Sequence, residues 1–191
     1  MSNAYRTKNS TGLINKNKKI NFSFNGHTYH GYEGDTLASA LISNGIHLIG
    51  RSFKYHRPRG FLGVGVEEPN AMVQLHEGNK SEPNIMATEV ELVEGLKAKS
   101  QNCWPSVQFD IGEVNNLLNR FFPAGFYYKT FMWPKSFWMK IYEPFIRKAA
   151  GMGVAPLQPD PDRYEHNYEH CDVLVVGSGP SGLASALAAA K

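Results

Sequence analysis

From Ile20 onward apolar and polar residues alternate, with Ile20, Phe22 and Phe24 on one side and Asn21 and Ser23 on the other. A period of two predicts a half-buried strand. Asn25-Gly26 comes next and is the strongest short hairpin signal, so His27 to His30 is expected to return as a second strand. The period then changes. Asp35-Thr36 precedes Leu37, Ala38, Ala40, Leu41 and Ile42, the spacing of an amphipathic helix with an acidic N-terminus, and Asn44-Gly45 is a fitting stop. Val73 to Leu75 and Thr88 to Leu92 are expected as further strands. Hairpin, helix, then strands is the order of a β-grasp domain, placed at residues 18–98. Residues 1–17, rich in Asn, Ser, Thr and Lys, read as a flexible arm.

Regularity fades over residues 99–170. Trp104 to Phe145 holds more than half of the chain's aromatic residues, broken by Pro105, Pro123, Pro134 and Pro144, with short helical patterns near Val114 to Phe122 and Ser136 to Ala150. So many rings do not stay solvated in a folded protein, and this connector is expected to pack between domains and against another subunit. Met132, Met139 and Met152 read as gap-filling core residues. Pro156 to Tyr168 is a turn-rich linker to the C-terminal segment.

That segment, 171–191, has the strongest pattern. Asp172 to Val176 is a short apolar run of the kind that forms a buried parallel strand, and it leads into Gly177, Gly179 and Gly182 and then an Ala/Leu-rich helix. This is G-x-G-x-x-G in strand-to-helix context. Gly177 allows the tight turn, Gly179 lets the backbone approach a pyrophosphate, and Gly182 brings helix and strand together. Pro180 is tolerated in the first turn, where a missing N–H costs little. The expected pyrophosphate cradle is Gly177, Ser178, Gly179, Pro180, Ser181 and Gly182, and it suits NAD and FAD alike. A complete unit needs a second strand and an acidic residue some 20 positions past the glycines. The chain is therefore expected to be the N-terminal piece of a longer protein with a truncated Rossmann domain. The fold class is α+β: a β-grasp domain, an aromatic-rich connector and the first strand and helix of an α/β domain.

Composition narrows the function. A formal charge of +3 over 191 residues is too small to argue for nucleic acid. Two cysteines, Cys103 and Cys171, stand far apart and give neither a disulfide framework nor a zinc spacing. No run of about 18 apolar residues argues for a membrane span, so a soluble cytoplasmic protein is the expectation. His166 and His170, four apart beside Glu165 and Glu169, do not match H-E-x-x-H and read as solvated linker residues. The loop Arg51 to Gly60 gathers Arg51, Lys54, Arg57 and Arg59 with Phe53, Tyr55 and His56. It supports two readings: a solvated loop with its aromatics tucked against the sheet, or a docking surface for an anion or a partner, since Arg forks suit phosphates and carboxylates.

Several long strings carry a resemblance. G-D-T-L-A-S-A-L-I-S-N-G-I, R-S-F-K-Y-H-R-P-R-G, V-E-E-P-N-A-M-V-Q-L, E-G-L-K-A-K-S-Q-N-C-W-P-S and P-A-G-F-Y-Y-K-T-F-M-W-P closely resemble the N-terminal region of the alpha subunits of heterotetrameric sarcosine oxidases, from about Ile20 through Lys191. Related cluster-binding domains carry Cys-Gly-x-Gly-x-Cys-x-x-Cys with a fourth Cys later. Here Leu62, Glu67 and Asn70 stand at the three thiolate positions and the fourth falls near Thr88, while Gly63 and Gly65 remain. The expectation is a ferredoxin-like β-grasp domain without an iron–sulfur cluster, serving as scaffold.

The resemblance implies an oxidoreductase that demethylates sarcosine oxidatively, giving glycine, hydrogen peroxide and methylene-tetrahydrofolate. It implies NAD on the glycine motif, FAD and the other flavin chemistry on or next to a beta subunit, and gamma and delta subunits as further partners. No catalytic residue falls within this stretch. Two other readings stand beside it. A flavin dehydrogenase complex acting on proline, glycine or opines shares these parts, but its relatives commonly keep the cluster cysteines. A non-catalytic assembly module would hold the dinucleotide turn for structural reasons only.

Overall fold

The computed structural model describes residues 5–7, 12–125 and 130–191. Phe126, Tyr127 and Tyr128 of the aromatic connector, and much of the N-terminal arm, lie outside the described residues. The chain divides into two units, Met1–Asp160 and Pro161–Lys191.

In the first unit the expected hairpin is β1 (Asn15–Phe24) and β2 (His27–Glu33), joined at Asn25 and Gly26, both with positive φ as this turn requires. The helix α1 (Leu37–Ser43) starts from a capping box: Ser39 N–H donates to Thr36 Oγ1 (3.1 Å) and Thr36 N–H to Ser39 Oγ (3.0 Å). It stops at Asn44, ahead of Gly45 with φ +79°. A small ladder pairs β3 (Gly50–Arg51) with β4 (Pro58–Arg59). Then come β5 (Met72–Leu75), β6 (Glu82–Met86) and β7 (Lys97–Ser100). The five-stranded sheet has the order β2-β1-β7-β5-β6, with β7 parallel to β1 and the other pairs antiparallel. Pro83 fits because β6 is an edge strand. Phe22, Phe24, Leu37, Leu41, Ile49, Val73 and Leu92 are buried in one core, each contributing about 1.5–3 kcal/mol by leaving water.

Thr88 to Leu92 is not a strand. Its buried Val90 and Leu92 give it a strand-like pattern, but its backbone serves the helix. Leu37 N–H donates to the Val90 carbonyl (2.8 Å), Ala38 N–H to that of Ala87 (2.9 Å), and Leu92 N–H to that of Asp35 (2.9 Å). Two of α1's first-turn N–H groups thus find acceptors outside the helix.

Described residues within the expected arm make specific contacts. β1 already begins at Asn15, and Arg6 makes a two-pronged contact with Asp35, Nη1 to Oδ1 at 3.1 Å and Nη2 to Oδ2 at 2.6 Å. Nη2 also donates to Ser43 Oγ, the guanidinium lies over the Tyr32 ring, and Tyr5 packs edge-on against His47. The Asp35 side chain is fully buried and that of Arg6 is 12% exposed.

The basic loop is solvated only in part: Phe53, Arg57 and Arg59 are exposed, whereas Arg51 and His56 are buried. Arg51 is buried, donating from Nε to the Val107 carbonyl (2.9 Å), from Nη1 to the His56 carbonyl and Glu113 Oε2 (both 3.1 Å), and from Nη2 to the Gln108 carbonyl (3.1 Å). His56 sets Nδ1 2.5 Å from Asp110 Oδ2 and Nε2 3.2 Å from the Ala149 carbonyl. Lys54 Nζ donates to the Pro123 carbonyl, Tyr55 Oη to that of Phe122, and Arg57 Nε to Asn116 Oδ1. Arg51, Lys54, Tyr55, His56 and Arg57 are thus engaged by the connector. That connector carries the short helix α2 (Val114–Leu117), a π-helical turn at Trp138–Tyr142 and α3 (Glu143–Ala150). Trp104, Phe109, Phe121, Trp133 and Phe145 nonetheless remain between 66% and 83% exposed.

The second unit contains α4 (Pro180–Ala189). Asp172 to Val176, expected as a strand, is not one: a strand exists through pairing, and no described segment pairs with it.

Replacing Arg6 by Met leaves a buried carboxylate without its counter-charge, at a cost of roughly 3 kcal/mol. Urea denaturation of the two proteins checks this, and coincident midpoints would refute the role given to Arg6.

Candidate functional site

Two glycine-rich turns hold the chain's distinctive chemistry, one in each unit. In the second unit Gly177 adopts φ +111°, a conformation that favours glycine. A Cβ on Gly182 would collide with the Gly177 carbonyl and touch Val175, so the helix start lies against the turn as the motif requires. A Cβ on Gly179 would meet nothing within 4 Å, which leaves the backbone open on the side of the helix end. Gly179 caps α4, Pro180 opens it, and Leu183 N–H donates back to the Gly179 carbonyl (2.9 Å). The N–H groups of Ser181 and Gly182 stand at the first turn, where no intrahelical acceptor exists. Ser178 and Ser181 lie on the same turn. All six predicted residues are therefore brought together, and the open helix end suits an anionic group.

In the first unit the turn between β4 and β5 carries Gly63 and Gly65. Its interior is filled by Glu68, whose residue is 1% exposed. Glu68 Oε2 accepts from the N–H groups of Leu62 and Gly63, both at 2.6 Å, and Oε1 from those of Asn70 (2.7 Å) and Ala71 (3.3 Å). Burial disfavours the charged form, but these four donors outweigh it, and the carboxyl titrates below its ordinary range. Glu67 Oε1 accepts from Val64 N–H (2.8 Å) and Gly65 N–H (3.1 Å), and the Val64 donor leads in holding that carboxyl low. Thr88 Oγ1 donates to the Gly65 carbonyl (2.9 Å). Leu62, Val64 and Val66 face solvent.

Glu68 was not among the residues singled out from sequence. The signal that could have found it is an acidic pair inside a glycine loop, where many backbone donors need an acceptor. Cys103 lines a cavity of about 740 Å³ with His56, Asp110, Arg147 and Lys148. Burial and then Asp110 raise its thiol pKa, which disfavours the thiolate. Among the described residues no group of three His, Cys, Asp or Glu is arranged to hold a metal ion, and no helix is long and apolar enough to cross a membrane.

Residues 17–103 match the family model of a 2Fe-2S iron-sulfur cluster binding domain. The curated relatives are more particular: this chain is homologous to the alpha subunits of sarcosine oxidase. It is 58% identical to sarcosine oxidase subunit alpha of Rhizobium meliloti (strain 1021) over 94% of its length, and 30% identical to that of Corynebacterium sp. (strain U-96) over 93%. It spans 18% and 14% of those two proteins. A solved structure, L-proline dehydrogenase from P. horikoshii, overlaps 44% of this chain and 16% of its own at 26% identity and a TM-score of 0.34, too loose a superposition to define a shared fold.

The side chains at the loop do not fit a 2Fe-2S cluster. Thiolates hold such clusters, and the corresponding positions carry Leu62, Glu67, Asn70 and Thr88. Glu67 and Thr88 are already bonded within the loop. Cys103 is half-buried elsewhere in the unit, and Cys171 belongs to the other unit.

Because Glu68 titrates lower in the folded chain than its ordinary value of 4.5, its charge stabilises the fold fully above that value. The contribution is lost as pH falls through the lowered pKa. Glu68→Gln is expected to remove this part of the acid sensitivity and to cost roughly 2–3 kcal/mol at neutral pH, because two amide donors would then face backbone donors. Denaturation midpoints from pH 7 to 3 test it, and parallel profiles for the two proteins would count against the assignment.

Proposed function

We propose that this chain is part of the alpha subunit of a sarcosine oxidase-type oxidoreductase, contributing a dinucleotide-binding turn and a scaffold domain without an iron–sulfur cluster. The observation that carries the reading is 58% identity to such a subunit across 94% of the chain. Under it, the whole enzyme oxidises the CH–NH bond of sarcosine with oxygen as acceptor and passes the methyl carbon to tetrahydrofolate, yielding glycine, hydrogen peroxide and methylene-tetrahydrofolate. FAD and the rest of the flavin chemistry belong with the beta subunit, and gamma and delta subunits complete the assembly. This chain supplies no group that touches the amine.

What the chain does is bind and orient. Gly177 turns the backbone, Gly179 leaves room for a pyrophosphate, and the first N–H groups of α4 face it with the helix dipole behind them. NAD is the dinucleotide assigned by family likeness, the pyrophosphate being common to NAD and FAD. The open space at Gly179 supports this reading. The scaffold role is supported by the donor chemistry at Leu62, Glu67, Asn70 and Thr88, and the partner role by the exposed rings of the connector. A cytoplasmic location belongs to the same proposal.

In the full-length subunit co-expressed with its neighbours, Gly179→Val is expected to cut retained NAD at least about tenfold, equivalent to about 1.4 kcal/mol. Unchanged retention, read by extraction and chromatography, would move the site elsewhere. The wild-type domain, purified without oxygen and with iron and sulfide supplied, is expected to be colourless and iron-free. Stoichiometric iron with visible absorbance would overturn the scaffold reading. A complex with no sarcosine-dependent peroxide would overturn the enzymatic one.

A further inference from the structure

We propose that the cluster-type loop is an anion-binding nest whose ligand is the protein's own Glu68 carboxylate. The inference rests on the reading that this domain holds no cluster, and names what stands in the loop instead. Leu62, Gly63, Asn70 and Ala71 turn their N–H groups inward onto one carboxylate, two on each oxygen. Convergent backbone donors of this kind form a cavity for anions. Phosphate, sulfate or an inorganic sulfide could each satisfy such a set, but here a tethered carboxylate does so from within.

The neighbouring geometry supports an occupied nest. Glu68 is buried with both oxygens bonded, and its backbone N–H closes the turn by donating to the Gly65 carbonyl (3.1 Å). Glu67 serves a second, outer pair of donors at Val64 and Gly65, so six inward N–H groups are satisfied by two adjacent side chains. A Cβ on Gly63 would crowd the Glu67 carboxylate at 2.8 Å, which ties that glycine to the same arrangement. The ligand class is thus a small carboxylate, and removing the tether should leave a site for a free one.

The test uses the full 191-residue chain with Glu68→Ala and acetate as the probe. The variant is expected to melt below the wild type. Sodium acetate should raise its Tm by more than sodium chloride of equal ionic strength does, with no acetate-specific gain in the wild type. A response no larger than that to chloride, or equal gains in both proteins, overturns the proposal. Should the Ala variant not fold, Glu68→Gln replaces it, read by amide exchange. Exchange at Leu62, Gly63 and Asn70 accelerated about tenfold relative to Val73 supports the nest, and unchanged exchange overturns it. Iron analysis of the wild type separates the two claims. Bound iron refutes the cluster-free reading, whereas an indifferent Glu68 in iron-free protein refutes the nest alone.

Discussion

A glycine-rich turn points backbone N–H groups into a small space, and those donors must have an acceptor once water is excluded. That constraint is met in opposite ways in the two units. In the turn after β4 the acceptor is built in, because Glu68 fills it and bonds four N–H groups. In the turn before α4 no side chain caps the helix, and the space beside Gly179 is open. The same physics yields a closed, self-satisfied loop in one place and an open helix end in the other.

The closed loop has structural consequences on both sides. Ala71, whose N–H is held by Glu68, is fully buried and immediately precedes β5, so the carboxylate sets where that strand enters the sheet. On the far side Thr88 ties Gly65 to the turn that receives α1. Arg51 plays a comparable part for the connector. One buried guanidinium gathers three carbonyls and a carboxylate, and Asp110 beside it holds His56 and, through Oδ1, the N–H groups of Trp104 and Gly112. Arg suits this place because its planar fork reaches several acceptors at once.

The sequence made the hairpin, α1 and β5 legible because each rests on local signals: alternation, Asn25-Gly26, and a Thr36 cap before an apolar stripe. It was misleading where long-range pairing decides. Lys97–Ser100 has one buried apolar residue, Ala98, yet it is the central strand joining β1 to β5. Thr88 to Leu92 looked like a strand because its apolar residues are buried, while its backbone was committed to α1. Arg51 was left between a solvated loop and a docking surface, and Arg6 fell within the expected flexible arm, because nothing local reveals Val107, Gln108 or Asp35 as their partners. At the second glycine turn local geometry is all there is to compare: Gly177 has a positive φ and Gly182 lies against it, while the expected strand before them is absent among the described residues.

Two features of the chain call for partners of different kinds. The exposed rings of Trp104, Phe121, Trp133 and Phe145 require only apolar surface, which any well-fitted neighbour can supply, because hydrophobic burial has no direction. Asp172 to Val176 is more demanding. Its side chains are exposed at Val173, Leu174 and Val176, and it would become a strand only through hydrogen bonds to a neighbouring strand. A subunit interface can meet the first need, whereas only a sheet could make a strand of the second. Residues that pair with Asp172 to Val176 would also fix the direction in which α4 presents its N-terminus. The dinucleotide reading therefore depends more on the strand beside this run than on anything that covers the connector.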